Sequence, residues 1–165
     1  MEKQANNKLL MIIFIALVVI LIAVYYLKDK NDEKSYYTEP EIVTNNSNFY
    51  TVSSCVSKYV SYLYNKDIDN LLVLLNQKYI EKNNIDSSNI FEYLIPLDSY
   101  QTFKAKKMYV SRVDEHIYKY YVYGVLEEEY IDSYGKYVGD LYVVVYLNEE
   151  GMTFSVEPYD GEIFK

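Results

Sequence analysis

Few residues in this 165-residue chain are of a type that does chemistry, and their spacing brings none of them into a known constellation. His116 is the single histidine, and a general base needs an orienting partner and an accessible cavity. It stands beside Asp114 and Glu115 at the start of a predicted strand, which reads as an exposed turn. One histidine and one cysteine do not make a zinc site of ordinary ligands, and Cys55 falls on the apolar side of a predicted helix, where a thiol acts as a small core residue. The densest acidic cluster is Glu127-Glu128-Glu129. On a strand Glu127 and Glu129 share one face, and with Asp132 they offer oxygen ligands to a hard divalent cation. The more economical reading is a solvated strand end that discourages edge pairing. Lys104, Lys106 and Lys107 form the only basic cluster and are placed to pair with those glutamates across a hairpin. No phosphate-binding, dinucleotide, nucleophile-elbow or zinc-protease motif occurs, and the five glycines are scattered at turns. No catalytic residue, metal or cofactor is assigned, and the chain reads as a non-enzyme.

The elements that position these residues follow from periodicity. Val52, Cys55, Val56, Tyr59, Val60, Leu63 and Tyr64 recur at helical spacing and predict an amphipathic helix over 49–66, with Asn48 as its N-cap. Asp67 caps a predicted second helix over 67–80, whose Leu71–Leu75 run is apolar nearly all round and so is expected to be deeply buried. A short third helix over 88–94 stops before Pro96. From Thr102 the period changes to two, giving strands at 102–113, 116–131, 136–148 and 152–159 with short turns between them. Short connections imply an antiparallel meander, and Gly124 inside the longest strand marks a bulge or bend. The expected fold is α+β, three helices packed on a curved four-stranded antiparallel sheet.

Alternation assigns the faces of that sheet. Tyr118, Tyr120, Val122 and Leu126 share one face of the second strand, and Leu141, Val143, Val145 and Leu147 one face of the third. These predict the core side. Tyr121, Tyr123, Tyr142, Val144 and Tyr146 then fall on the opposite side, an aromatic layer that helices on one face cannot cover. It is the candidate interface for a protein partner or a second copy. Cross-strand tyrosine pairing with wet hydroxyls is the partner-free alternative.

Ahead of the domain, after a tail at residues 1–8, residues 9–27 read LLMIIFIALVVILIAVYYL without a charge or amide. As a helix the run spans roughly 28 Å, close to the hydrocarbon thickness of a bilayer. Leu9, Phe14, Leu17 and Leu21 represent its apolar body, and Tyr25, Tyr26 and Leu27 its exit at headgroup level. Bulky exit residues and excess length argue against a cleaved leader. Lysines flank both ends, so charge does not set orientation; a short tail before a single span usually stays in the cytoplasm, which places the domain outside the cell membrane. Residues 28–48 read as a linker and 49–165 as one domain.

The net charge is −8, and residues 35–165 hold 11 Lys/Arg against 20 Asp/Glu. Such a domain is repelled by phosphates, so nucleic acid is not an expected partner. The 22 tyrosines read as codon bias of an AT-rich bacterial genome. An anchor, a linker, three helices and a four-stranded meander together resemble the plan of the nuclear transport factor 2-like (cystatin-like) superfamily. Within it the chain is similar to the membrane-anchored assembly proteins of bacterial type IV secretion and conjugation channels. The resemblance covers Phe49 to Tyr159 and rests on element order; the Asp/His pair of enzymatic members finds no match here. It implies a scaffold and leaves the function open; the anchor, the absent catalytic constellation and the aromatic outer face favour a non-enzymatic assembly or interaction module, with a small-ligand-binding cone as the alternative.

Overall fold

The computed structural model describes residues 36–44, 47–94, 97–130 and 133–165, together with Ala16 and Val18–Ile20 nearer the N-terminus. The chain divides into two units, 1–35 and 36–165. In the first, Ala16 and Val18–Ile20 are helical and exposed. The anchor residues Leu9, Phe14, Leu17, Leu21, Tyr25, Tyr26 and Leu27 lie outside the described residues. Among the described residues, no helix is long and apolar enough to cross a membrane.

The second unit is α+β, with a five-stranded antiparallel sheet in the order β1-β2-β3-β4-β5. Its strands are β1 (Glu41–Ile42), β2 (Thr102–Arg112), β3 (Ile117–Tyr130), β4 (Ser133–Asn148) and β5 (Thr153–Pro158). β1 corrects two expectations: five strands stand among the described residues, and the described part of 28–48 is not linker throughout. Thr38 N–H donates to the Arg112 carbonyl (3.0 Å) and Val43 N–H to that of Met108 (2.8 Å), so this segment lies along the edge of β2. An unpaired edge strand attracts a partner, and here the chain supplies one.

α1 (Ser47–Asn65) buries Val52, Cys55, Val56, Tyr59, Val60 and Leu63, the predicted stripe. Asn48 falls inside its first turn, and its amide hydrogen-bonds the Tyr120 hydroxyl. The expected second helix divides into α2 (Ile68–Leu74) and α3 (Gln77–Asn83). Leu75 is extended and forms a parallel bridge with Val156, and Asn76 N–H donates to the Val156 carbonyl at 2.8 Å. The Asn76 side chain then accepts from Lys78 and Tyr79 N–H, capping the new helix. The Leu71–Leu75 run is not buried all round: Leu71 and Leu75 are in the core, but Val73 is 82% exposed. α4 (Ile90–Tyr93) completes four α-helices in this unit among the described residues, where three are expected.

Met108, Tyr120, Val122, Val143, Val145 and Val156 of the sheet join the α1 stripe in one core. The alternation predicted for β3 and β4 is therefore the observed one. The irregularity near Gly124 sits in its neighbour, where Lys106 is the extra residue between Ala105↔Gly124 and Lys107↔Tyr123. A second lies between Leu126↔Gly139 and Glu127↔Tyr137. Such bulges bend a sheet and increase its twist. Because β3 itself runs through Gly124 in step, its faces do not exchange.

Candidate functional site

The five residues of the candidate interface come together on the face away from α1. Tyr121 pairs with Val144, Tyr123 with Tyr142 and Lys119 with Tyr146. The Tyr123 and Tyr142 rings stack at 5.0 Å and 16°. Lys119 lies over Tyr121 (4.8 Å) and Tyr146 (5.6 Å), a cation on the negative faces of two rings. Burial, and next the Glu157 carboxylate that accepts from its hydroxyl at 3.0 Å, push the Tyr146 phenol well up.

The chain's own C-terminal segment lies over part of this layer. Tyr159 N–H donates to the Tyr142 carbonyl (3.2 Å), and its ring meets Tyr121 edge-on at 5.4 Å. Gly161 turns with φ +76°, and a Cβ there would stand 2.8 Å from the Tyr142 ring, so both backbone and space call for glycine. The following 3-10 turn, Glu162–Phe164, seats Phe164 against Tyr109, Tyr123 and Tyr142 at 5.5–5.8 Å. Val144 beneath is 1% exposed. We call this segment the strap.

A second feature lies on the helix side. A cleft of about 560 Å³ opens between α1, α4, the loop before β2 and the ends of β3 and β4. Tyr59, Leu63, Leu97, Leu126, Leu141 and Val143 supply much of its apolar wall. Burial, then the neighbouring Tyr79, push the Tyr59 phenol far up, so it is a neutral hydroxyl at physiological pH. The polar side is a short chain: Gln101 Nε2 donates to Ser99 Oγ at 3.4 Å, and Ser99 Oγ donates to Glu128 Oε1. The Ser99 proton is used on the carboxylate, so its oxygen accepts from Gln101, which fixes the amide with Nε2 toward Ser99. Gln101 is 8% exposed, and its Oε1 is buried without a hydrogen-bond partner.

The other sequence candidates are dispersed. His116 is exposed in the β2–β3 turn, where its carbonyl accepts from Glu149 N–H at 2.9 Å. Glu127 pairs with Lys104 across the hairpin, as its spacing suggests. The side chains of Glu129 and Asp132 lie outside the described residues. Among the described residues no group of three His, Cys, Asp or Glu could hold a metal ion. Cys55 is buried, and burial raises its thiol from 9.0 to about 11, with Lys58 opposing. The neutral thiol therefore stabilises the fold fully below pH 9, and that contribution is lost as pH rises through about 11. Labelling by Ellman's reagent at neutral pH should run about a hundredfold slower than for an unhindered thiol. Rapid labelling would place Cys55 outside the core.

Gln101, Ser99 and Tyr93 were not singled out by sequence, nor was the strap. One signal was present: Asp98-Ser99-Tyr100-Gln101 is a polar island between two apolar stretches, longer than a turn into β2 requires. Comparison with known protein families, with curated proteins and with solved structures finds no match to this chain.

Proposed function

We propose that this chain is a single-pass membrane protein whose folded unit binds a small ligand in the cleft between α1 and the sheet. One observation carries the reading: a cleft of about 560 Å³ is walled by apolar side chains and lined by Gln101, whose Oε1 is buried and partnerless. Ligand sites combine an apolar enclosure of some 300–1,000 Å³ with few fixed polar groups. A buried acceptor without a donor costs about 1–3 kcal/mol, which a ligand's N–H or O–H offsets. The resemblance to cone-shaped nuclear transport factor 2-like domains agrees with this position. The anchor rests on the charge-free run 9–27. Nothing in the cleft's described lining supplies a histidine or cysteine, and the reading is binding without catalysis.

The test is an NMR titration of the full chain in phosphatidylcholine nanodiscs with small phenylpropyl compounds. Amides of Leu63, Gly139 and Leu141 should shift ahead of those of Tyr121 and Tyr146. Shifts confined to the latter pair would move the site to the other face.

A second reading, an assembly module working through the outer face, is favoured by the strap. Phe164→Ala removes the ring seated on Tyr109, Tyr123 and Tyr142, at a cost of about 1–2 kcal/mol. If that layer is an interface, the variant should show stronger self-association by sedimentation in detergent micelles. An unchanged monomer would leave the tyrosines as a stabilising layer only.

A further inference from the structure

We infer that the cleft selects a ligand with an apolar, preferably aromatic, body and a positively charged N–H head such as an ammonium group. This deepens, and rests on, the reading of the cleft as a ligand site. Three independent features point the same way. First, the fixed Gln101 amide leaves a buried Oε1 with no donor, so a ligand is held there by a hydrogen it donates. Second, Asp98, Glu128 and Asp140 contribute to the lining, and no lysine or arginine does. Lys136 faces Glu128 across the β3–β4 ladder but is exposed and does not line the cleft. Glu128 accepts from Ser99 and Asp140 accepts from the Tyr123 hydroxyl at 3.2 Å, so both are already engaged, and the inference stands on Gln101 and Asp98. Third, Tyr59 and Tyr93 contribute aromatic groups, whose faces attract cations and whose bodies pack aromatic ligands; Tyr142 and Tyr159 border the cleft, but their rings are packed in the strapped layer.

The alternatives fare worse on the same groups. A carboxylate or phosphate would enter a cleft whose lining is acidic and would bring no hydrogen to Gln101 Oε1. A hydrocarbon would fill the wall and leave that acceptor unsatisfied. A neutral alcohol satisfies Gln101 but gains nothing from the Asp98 charge. The surplus of acidic side chains over the whole domain also raises the local concentration of cations before contact.

Three probes sharing one body separate these cases: phenylpropylammonium, phenylpropanol and phenylpropanoate, each titrated into the full chain in phosphatidylcholine nanodiscs. The ammonium should bind about tenfold more tightly than the alcohol, and the carboxylate more weakly than either. Gln101→Met should weaken the ammonium about tenfold, and the exposed Asp98→Asn should reduce its advantage over the alcohol about threefold. Asp98→Asn carries the comparison if Gln101→Met fails to fold by circular dichroism. Equal binding of ammonium and alcohol, or preference for the carboxylate, overturns the cationic class while leaving a ligand site in the cleft. If none of the three moves the Gly139 and Leu141 amides, the ligand-site reading falls with it.

Discussion

Gly139→Phe should abolish ligand binding while leaving the domain folded. Gly139 pairs with Leu126 on the helix-facing side of β4 and lines the cleft. A Cβ built there meets nothing within 4 Å, and its backbone is not in the left-handed region. A phenyl ring therefore occupies space that is open, in a conformation that any L-residue adopts. Strand interiors favour aromatic residues over glycine, so thermal stability should be unchanged or raised by up to about 1 kcal/mol. Affinity for a cleft ligand should fall by more than about tenfold, since the ring takes the volume the ligand body needs. Unfolding by this substitution would mean that the cleft is closed. Retained affinity would place the ligand elsewhere.

Gly124→Ala, a smaller change, should do the reverse and destabilise the domain by about 1–3 kcal/mol. A Cβ at Gly124 collides with the Phe103 ring and stands 2.6 Å from the Lys104 carbonyl oxygen, a backbone atom held in the β2–β3 ladder. The ring can rotate away only by leaving the core it packs against, and the carbonyl can retreat only by breaking the ladder beside the Lys106 bulge. Overpacking of this kind costs about 1–3 kcal/mol, and the backbone contact puts Gly124 at the upper end. Chemical denaturation followed by circular dichroism should show the loss. A variant as stable as the parent would mean that Phe103 does not lie over Gly124. The two glycines are both strand residues on the same face, fifteen positions apart, and differ only in what lies above them.

That difference was not visible in the sequence, and it shows which parts of the structure were. Features set by near neighbours read directly. The Val52–Leu63 stripe, the alternation of β3 and β4 and the Lys104–Glu127 pairing all follow from spacing within one element or across one hairpin. Features set by distant partners did not. The helix breaks at Leu75 because the Val156 carbonyl, eighty residues on, accepts the Asn76 N–H. Glu41–Ile42 becomes a strand because β2 has an edge to fill. The outer tyrosines were legible as a face, but the strap arrives through a turn at Gly161 whose purpose appears only against the Tyr142 ring. For the same reason the acceptor in the cleft escaped notice: a glutamine between two apolar stretches is unremarkable until its partners are known.

The proposed anchor at 9–27 bears on what the cleft implies. A tether holds the domain near a bilayer without itself selecting a partner, so selectivity falls to surfaces of the folded unit. Two such surfaces, the cleft and the strapped tyrosine face, adjoin at Tyr142 and Tyr159, and amides away from that border report on each of them.

The most direct test is a matched NMR titration of phenylpropylammonium into the full chain and into its Gly139→Phe variant, both in phosphatidylcholine nanodiscs. Saturable shifts at Gln101, Leu141 and residue 139 in the parent, lost in the variant while Tyr121 and Tyr146 stay unmoved in both, are the predicted result. Identical titrations in parent and variant would contradict the cleft as the site.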